Sequence, residues 1–140
     1  MSVVKSKRGE SNLRILTLAD ELATYTIHIC SNEKHFPKRY RWCITAKIVD
    51  EATNIVKYIK MANSLYINND ENRYKLRTHY QDKAYASTYA LLALIDIAYR
   101  TFGIDGKRIE YWTKLIIDVQ NLLRNWQKAN KQQFEDKKIK

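Results

Sequence analysis

Residues 40–67 read YRWCITAKIVDEATNIVKYIKMANSLYI, with no glycine or proline among them. Ile44, Ile48, Ala52, Ile55, Ile59, Ala62 and Tyr66 recur at steps of three and four, which is one face of a 3.6-residue helix. At 1.5 Å per residue such a helix reaches roughly 40 Å. A rod of that length with a single apolar stripe has to lie against other rods, so the flanking segments are read for partners.

Upstream, Leu18, Leu22, Tyr25 and Ile29 form a second helical stripe, placing a first helix from about Leu16 to about Glu33. Asp20 and Glu21 sit in its early turns, where the helix dipole favours anions. His35-Phe36-Pro37 ends it, because the residue before proline avoids the α region. Downstream, Asn68-Asn69-Asp70 is a turn signal. A third helix is expected from about Asn72 to Phe102, with Tyr80, Ala84, Ser87, Leu91, Leu94, Ala98 and Phe102 facing inward. Gly103 suits the left-handed residue after a helix, and Asp105 suits the cap of the next. Ile109, Trp112, Leu115, Ile116, Val119, Leu122, Leu123 and Trp126 line a fourth helix, from about Lys107 to about Ala129. The expected fold class is all-α: an antiparallel, up-down-up-down four-helix bundle.

Composition agrees. The chain has 140 residues, of which 45% are hydrophobic, so one domain with a sizeable core is expected. Three glycines and one proline are too few for a turn-rich all-β fold. The expected organisation is a flexible basic arm over 1–14, the bundle over 15–130 and a disordered or frayed basic tail over 131–140. The start of the chain is polar and charged, so no leader peptide is expected. No apolar run approaches membrane-spanning length, so no membrane association and a reducing cytoplasmic location are expected. Cys30 and Cys43 flank Pro37 at similar distances. They are read either as buried reduced thiols or as a pair brought side by side by the hairpin.

The formal net charge of +10 is concentrated. Lys5, Lys7, Arg8 and Arg14 against Glu10 give residues 1–14 a net +3. Lys34, Lys38, Arg39 and Arg41 give residues 34–41 a net +4 without any acid. Five lysines against Glu135 and Asp136 give residues 127–140 a net +3. Clusters of this kind attract polyanions and speed encounter with them. In an up-down-up-down bundle the first and third connections share one end, and that end is expected to gather Lys34, Lys38, Arg39, Arg41, Arg100, Lys107 and Arg108 against Glu33 and Asp105. The other end is expected to hold both tails and the second connection, with Arg73, Lys75 and Arg77 nearby. Lys38, Arg39, Arg41, Arg73, Arg77, Arg100, Lys107 and Arg108 are therefore the candidate nucleic-acid or partner contacts.

Catalytic and metal patterns are weak. His28, His35 and His79 lack ligand spacing, and no Glu-x-x-His pair exists, so no metal and no cofactor are expected. Asp50-Glu51 and Asp70-Glu71 are adjacent on helices and diverge by about 100°. Arg73 and His79 resemble the Arg-x(4–6)-His pattern of HEPN-type ribonucleases, in which His transfers protons and Arg stabilises the phosphorane. Trp112 and Trp126 read as core or subunit-interface anchors, and Trp42, Tyr40 and Tyr58 as the aromatics most open to solvent.

The segment Phe36-Pro37-Lys38-Arg39-Tyr40-Arg41-Trp42, followed by a long helix carrying Ala62-Asn63, the run Leu94-Ile95-Asp96-Ile97-Ala98, and Trp126 near the end of a fourth helix, resembles a known family. It is similar to the Avd-like proteins, the accessory variability determinants of diversity-generating retroelements, over about Leu16 to Trp126. The resemblance implies a non-enzymatic four-helix bundle that assembles into a homopentameric ring. It also implies a basic exterior that binds the retroelement's reverse transcriptase and its template RNA, in support of mutagenic cDNA synthesis. Asp96 departs from the pattern, which has a basic residue there. Surplus apolar positions at Leu92, Ile97, Ile116 and Leu123 fit an oligomer interface. Two alternatives remain: a HEPN-like ribonuclease of a toxin-antitoxin pair, and a purely structural helical oligomer.

Overall fold

The computed structural model describes the backbone of residues 2–139 and the side chains of residues 14–137. Four long helices are present and no strand occurs among the described residues. They are α1 (Ser2–Cys30), α2 (Ala46–Asn63), α3 (Glu71–Phe102) and α4 (Gly106–Ile139). Helix α2 lies against α1 and α3, and α4 lies against α3 and α1, so each helix packs on its chain neighbours and the last closes on the first. No helix among the described residues is long and apolar enough to cross a membrane.

Local chemistry sets most boundaries. Asp70 is extended and its carboxylate accepts from the backbone N–H groups of Asn72 and Arg73, at 2.9 and 3.3 Å, capping α3. Asn68 and Asn69 stand at positive φ, a region asparagine tolerates through its short polar side chain. Gly103, at φ +64°, ends α3 with its N–H on the Tyr99 carbonyl. Asp105 accepts from the Arg108 N–H at the start of α4.

Three helices differ from expectation in their boundaries. The long helix expected from Tyr40 to Ile67 is broken into a 3-10 turn (Lys38–Tyr40), a π turn (Arg41–Thr45) and α2, which stops at Asn63. Tyr66, expected on the inward stripe, is 74% exposed beyond the end of α2. Helix α4 runs past Ala129 to Ile139 in place of a frayed tail. Phe134 there is buried and stacks on Tyr74, with ring centroids 4.4 Å apart and planes 3° from parallel. Helix α1 is helical from Ser2, upstream of the start expected near Leu16. The side chains of the arm expected over 1–14 lie outside the described residues, apart from that of Arg14.

One core joins all four helices. Helix α1 contributes Ile15, Ala19, Leu22 and Ile29, a stripe rotated from the expected one, with Leu18 and Tyr25 half-buried at its flank. Ile48, Ala52, Ile55, Ile59 and Ala62 of α2 are fully buried, as their period requires. Ile116 and Leu123, read as surplus for an interface, are fully buried inside the subunit, and so is Trp112. Trp126 is also buried, which leaves Ile97 as the exposed member of the surplus set. At the centre, the Trp112 indole N–H donates to the Thr26 hydroxyl at 2.9 Å, and that hydroxyl donates to the Leu22 carbonyl at 2.7 Å. The only strongly polar atom of the largest core side chain is thereby satisfied.

Trp112→Ala is expected to lower unfolding free energy by about 3–5 kcal/mol, because it opens a cavity among three helices. Trp112→Phe should cost less, since Thr26 keeps its own bond to Leu22. Urea denaturation followed by circular dichroism measures both. Equal losses in the two variants would show that the indole N–H, absent from both, sets the cost and that the volume phenylalanine restores does not.

Candidate nucleic-acid interface

The connection between α1 and α2 is held by a buried aromatic residue. Phe36 is 3% exposed and meets Phe102 and Trp112 edge-on, at 5.7 and 6.1 Å between centroids. Tyr40 packs on Phe102 at 5.2 Å. These contacts bring the first connection against the third, where Tyr25 of α1 also donates to the Arg108 carbonyl at 3.4 Å. With Phe36 and Tyr40 turned inward, the residues between and after them turn outward: Lys38, Arg39, Arg41, Trp42 and Cys43 are all exposed. Ile44 is buried again. The arrangement follows from spacing. Phe36, Tyr40, Ile44 and Ile48 stand four apart, slightly more than one α-helical turn. A stretch of i→i+5 bonding is a wider turn that holds such a row in line.

The eight basic candidates divide by their partners. Arg73 pairs with Asp70 at 3.9 Å and donates to the Tyr66 carbonyl at 3.3 Å. Arg100 pairs with Asp96 at 3.2 Å. Asp96 neutralises its neighbour one turn on. Arg108 pairs with Asp105, whose carboxyl is held below the usual range chiefly by that guanidinium. Lys38, Arg39, Arg41 and Lys107 make no ion pair with any described carboxylate. Arg39 lies over the Tyr40 ring at 5.1 Å.

Arg77 has a different task. Its guanidinium donates to the Ala62 carbonyl at 3.1 Å, to the Leu65 carbonyl, and to Asn130 Oδ1 at 3.2 Å, and it lies 5.8 Å from the Trp126 ring. Burial pulls its pKa below the ordinary value. It caps the carboxyl end of α2 from across the bundle and ties in α4, so its donors are not free for phosphate. With Lys75 also paired to Glu71 at 3.7 Å, the three basic residues expected beside the second connection are all engaged within the chain.

A cleft of about 280 Å³ beside the third connection is lined by Tyr25, His28, Ile29, Ser31, Asn32, His35 and Arg108. It joins two histidines that the sequence reading kept apart. Their seven-residue separation, about two helical turns, was the available signal. The Ser31 hydroxyl there donates to the Ile27 carbonyl at 2.7 Å and is not paired with a base. His79 is exposed and leans on Tyr80, at 5.6 Å between centroids. Six residues along a helix put Arg73 and His79 about 120° apart, so they do not converge within one subunit. No group of three His, Cys, Asp or Glu that could hold a metal occurs among the described residues.

Both cysteines are free, and their surroundings differ. Cys30 is buried, and burial pushes its thiol up to about 12. Cys43, expected to be buried, is exposed beside Trp42, with its sulfur 3.4 Å from the Tyr40 carbonyl. No family model, no curated protein and no solved structure matches the chain.

Two outcomes follow from this partition. Arg77→Ala is expected to lose about 2–3 kcal/mol of stability, because two helix-end carbonyls and Asn130 lose a charged donor. RNA affinity in the folded variant should be unchanged, as measured by denaturation and fluorescence anisotropy side by side. With a thiol reagent at mildly alkaline pH, the native protein should label at Cys43 alone, and at both cysteines once unfolded. Labelling of Cys30 in the native state would contradict its burial.

Proposed function

We propose that this protein is a non-catalytic accessory factor that binds RNA at the corner formed by the first and third connections. The observation that carries the reading is the set Lys38, Arg39, Arg41 and Lys107. Four exposed cations lie on or beside the first and third connections without a described carboxylate partner, three of them within four residues of the exposed Trp42 indole. Surface cations already paired within a chain gain little from a phosphate, whereas unpaired ones release counterions when a phosphate arrives. Such contacts position a polyanion without reading its sequence.

The resemblance at Phe36–Trp42 supports a more specific setting, in which the RNA is the template of a diversity-generating retroelement and the protein partner is its reverse transcriptase. In that reading the four helices alternate in direction. The ion pair between Asp20 of α1 and Lys60 of α2, and the bond between Thr26 of α1 and Trp112 of α4, support the alternation. The assembly is a cytoplasmic homopentameric ring that repeats the basic corner. Repetition turns a few weak phosphate contacts per subunit into useful avidity. Leu76, Tyr89, Ile97, Tyr99, Tyr111 and Ile117 are exposed on α3 and α4 and supply apolar surface for a subunit contact.

Binding to single-stranded RNA is expected to fall steeply with salt. For single strands the log–log slope is about −0.7 per neutralised phosphate, so Arg39→Ala with Arg41→Ala should flatten it by about 1.4. The check is anisotropy across a salt series. A slope unchanged by the double substitution would remove these residues from the contact. A mass in solution equal to one chain, or a gene with no reverse transcriptase beside it, would remove the ring or the retroelement setting respectively.

A further inference from the structure

Three tryptophans are present, and the fold treats them in two ways. Trp112 and Trp126 are 0% and 8% exposed, while Trp42 is 79% exposed. An indole is the largest apolar side chain, and a folded chain normally covers it. Trp42 is uncovered for a structural reason. It falls two residues after Tyr40 and two before Ile44, both of which turn toward the core, so the π turn presents it to solvent. Turns of this type are frequent at functional sites. Arg41 precedes it and Arg39 lies one turn away, both exposed and unpaired by any described carboxylate. A protruding aromatic face beside free guanidinium groups has the two parts of a single-strand site: a surface for a base and charges for its phosphates.

We infer that the corner binds single-stranded rather than duplex RNA, with one unpaired base stacked on the Trp42 indole. The inference rests on the RNA-binding reading above and names the class of RNA. In an A-form duplex the bases are stacked on one another and the major groove is too narrow to admit a side chain, so the indole would find no face to cover. An unpaired base has two open faces, and every base has one, so the contact would tolerate many sequences. The phosphate contacts of Arg39 and Arg41 serve both forms of RNA, whereas Trp42 serves only one. It therefore sets the preference without setting the salt dependence.

The test uses the full chain with two fluorescent probes, a uridine oligonucleotide of about ten residues and a duplex of similar length. Wild type, Trp42→Ala and Trp42→Phe are compared at one salt concentration, and circular dichroism confirms that each is folded. Trp42→Ala is expected to weaken single-strand binding by about 5- to 150-fold, the range for losing one base–aromatic stack, and to leave duplex binding unchanged. Trp42→Phe should recover most of the loss. In the wild type the single strand should quench the emission of the exposed indole, and Trp42→Phe should abolish that quench. Equal weakening of both probes, or no weakening of either, overturns the stacking inference and leaves RNA binding standing. Wild type that binds neither probe overturns the RNA reading itself. If Trp42→Ala binds both probes normally but no longer joins its own copies or a reverse transcriptase, Trp42 is a protein contact and the inference fails.

Discussion

Everything displayed at the end formed by the first and third connections depends on how Trp112 is buried. The indole is fully enclosed, with its N–H on Thr26 of α1 and with Phe36 of the first connection against its edge. Tyr25 of α1 meets it from another side, at 6.1 Å between centroids. One side chain of α4 thus fixes the position of α1 and of the loop that follows it. Phe36 then carries Pro37 and the basic run with it, because a buried phenylalanine cannot shift without opening a void. Lys38, Arg39 and Arg41 are outward because Phe36 and Tyr40 are inward. The charge pattern of the surface follows from an apolar contact beneath it.

The division of the arginines has a similar logic. Arg73, Arg100 and Arg108 each lie three or four residues from an aspartate on the same helix or its cap. Each such pair contributes little to stability in water. Its larger effect is on the field, since a paired guanidinium presents much less net charge to a distant polyanion. Residues 34–41 contain no acid at all. This acid-free run coincides with the corner that Phe36 holds in place, and Trp42 follows it directly in the chain.

Arg77 illustrates why charge alone misassigns residues. In sequence it is one more cation near a turn, beside Arg73 and Lys75. In space it supplies hydrogen bonds to the end of a helix fifteen positions earlier and to Asn130 on a third helix. Helix ends leave carbonyls without intrahelical partners, and a half-buried end needs a donor that water cannot provide. The guanidinium fills that need and keeps its stem and plane against Trp126. Its charge is used to close the bundle.

The sequence by itself determined the helical class, the turn at Asn68-Asn69-Asp70, the left-handed stop at Gly103, the buried stripe of α2 and the acid-free basic run. Each is fixed by residues within about one or two turns of one another, so local periodicity and capping chemistry suffice. Tertiary structure alone decided where α2 ends, how far α4 continues and which arginines remain free. Arg77 stops α2 from another helix, and Phe134 extends α4 by stacking on Tyr74 of α3. A row of apolar residues spaced by four is compatible with both an α and a wider turn, and the choice at Arg41–Thr45 went with the packing of Tyr40 on Phe102. These outcomes depend on contacts between residues far apart in the chain, which no local pattern encodes.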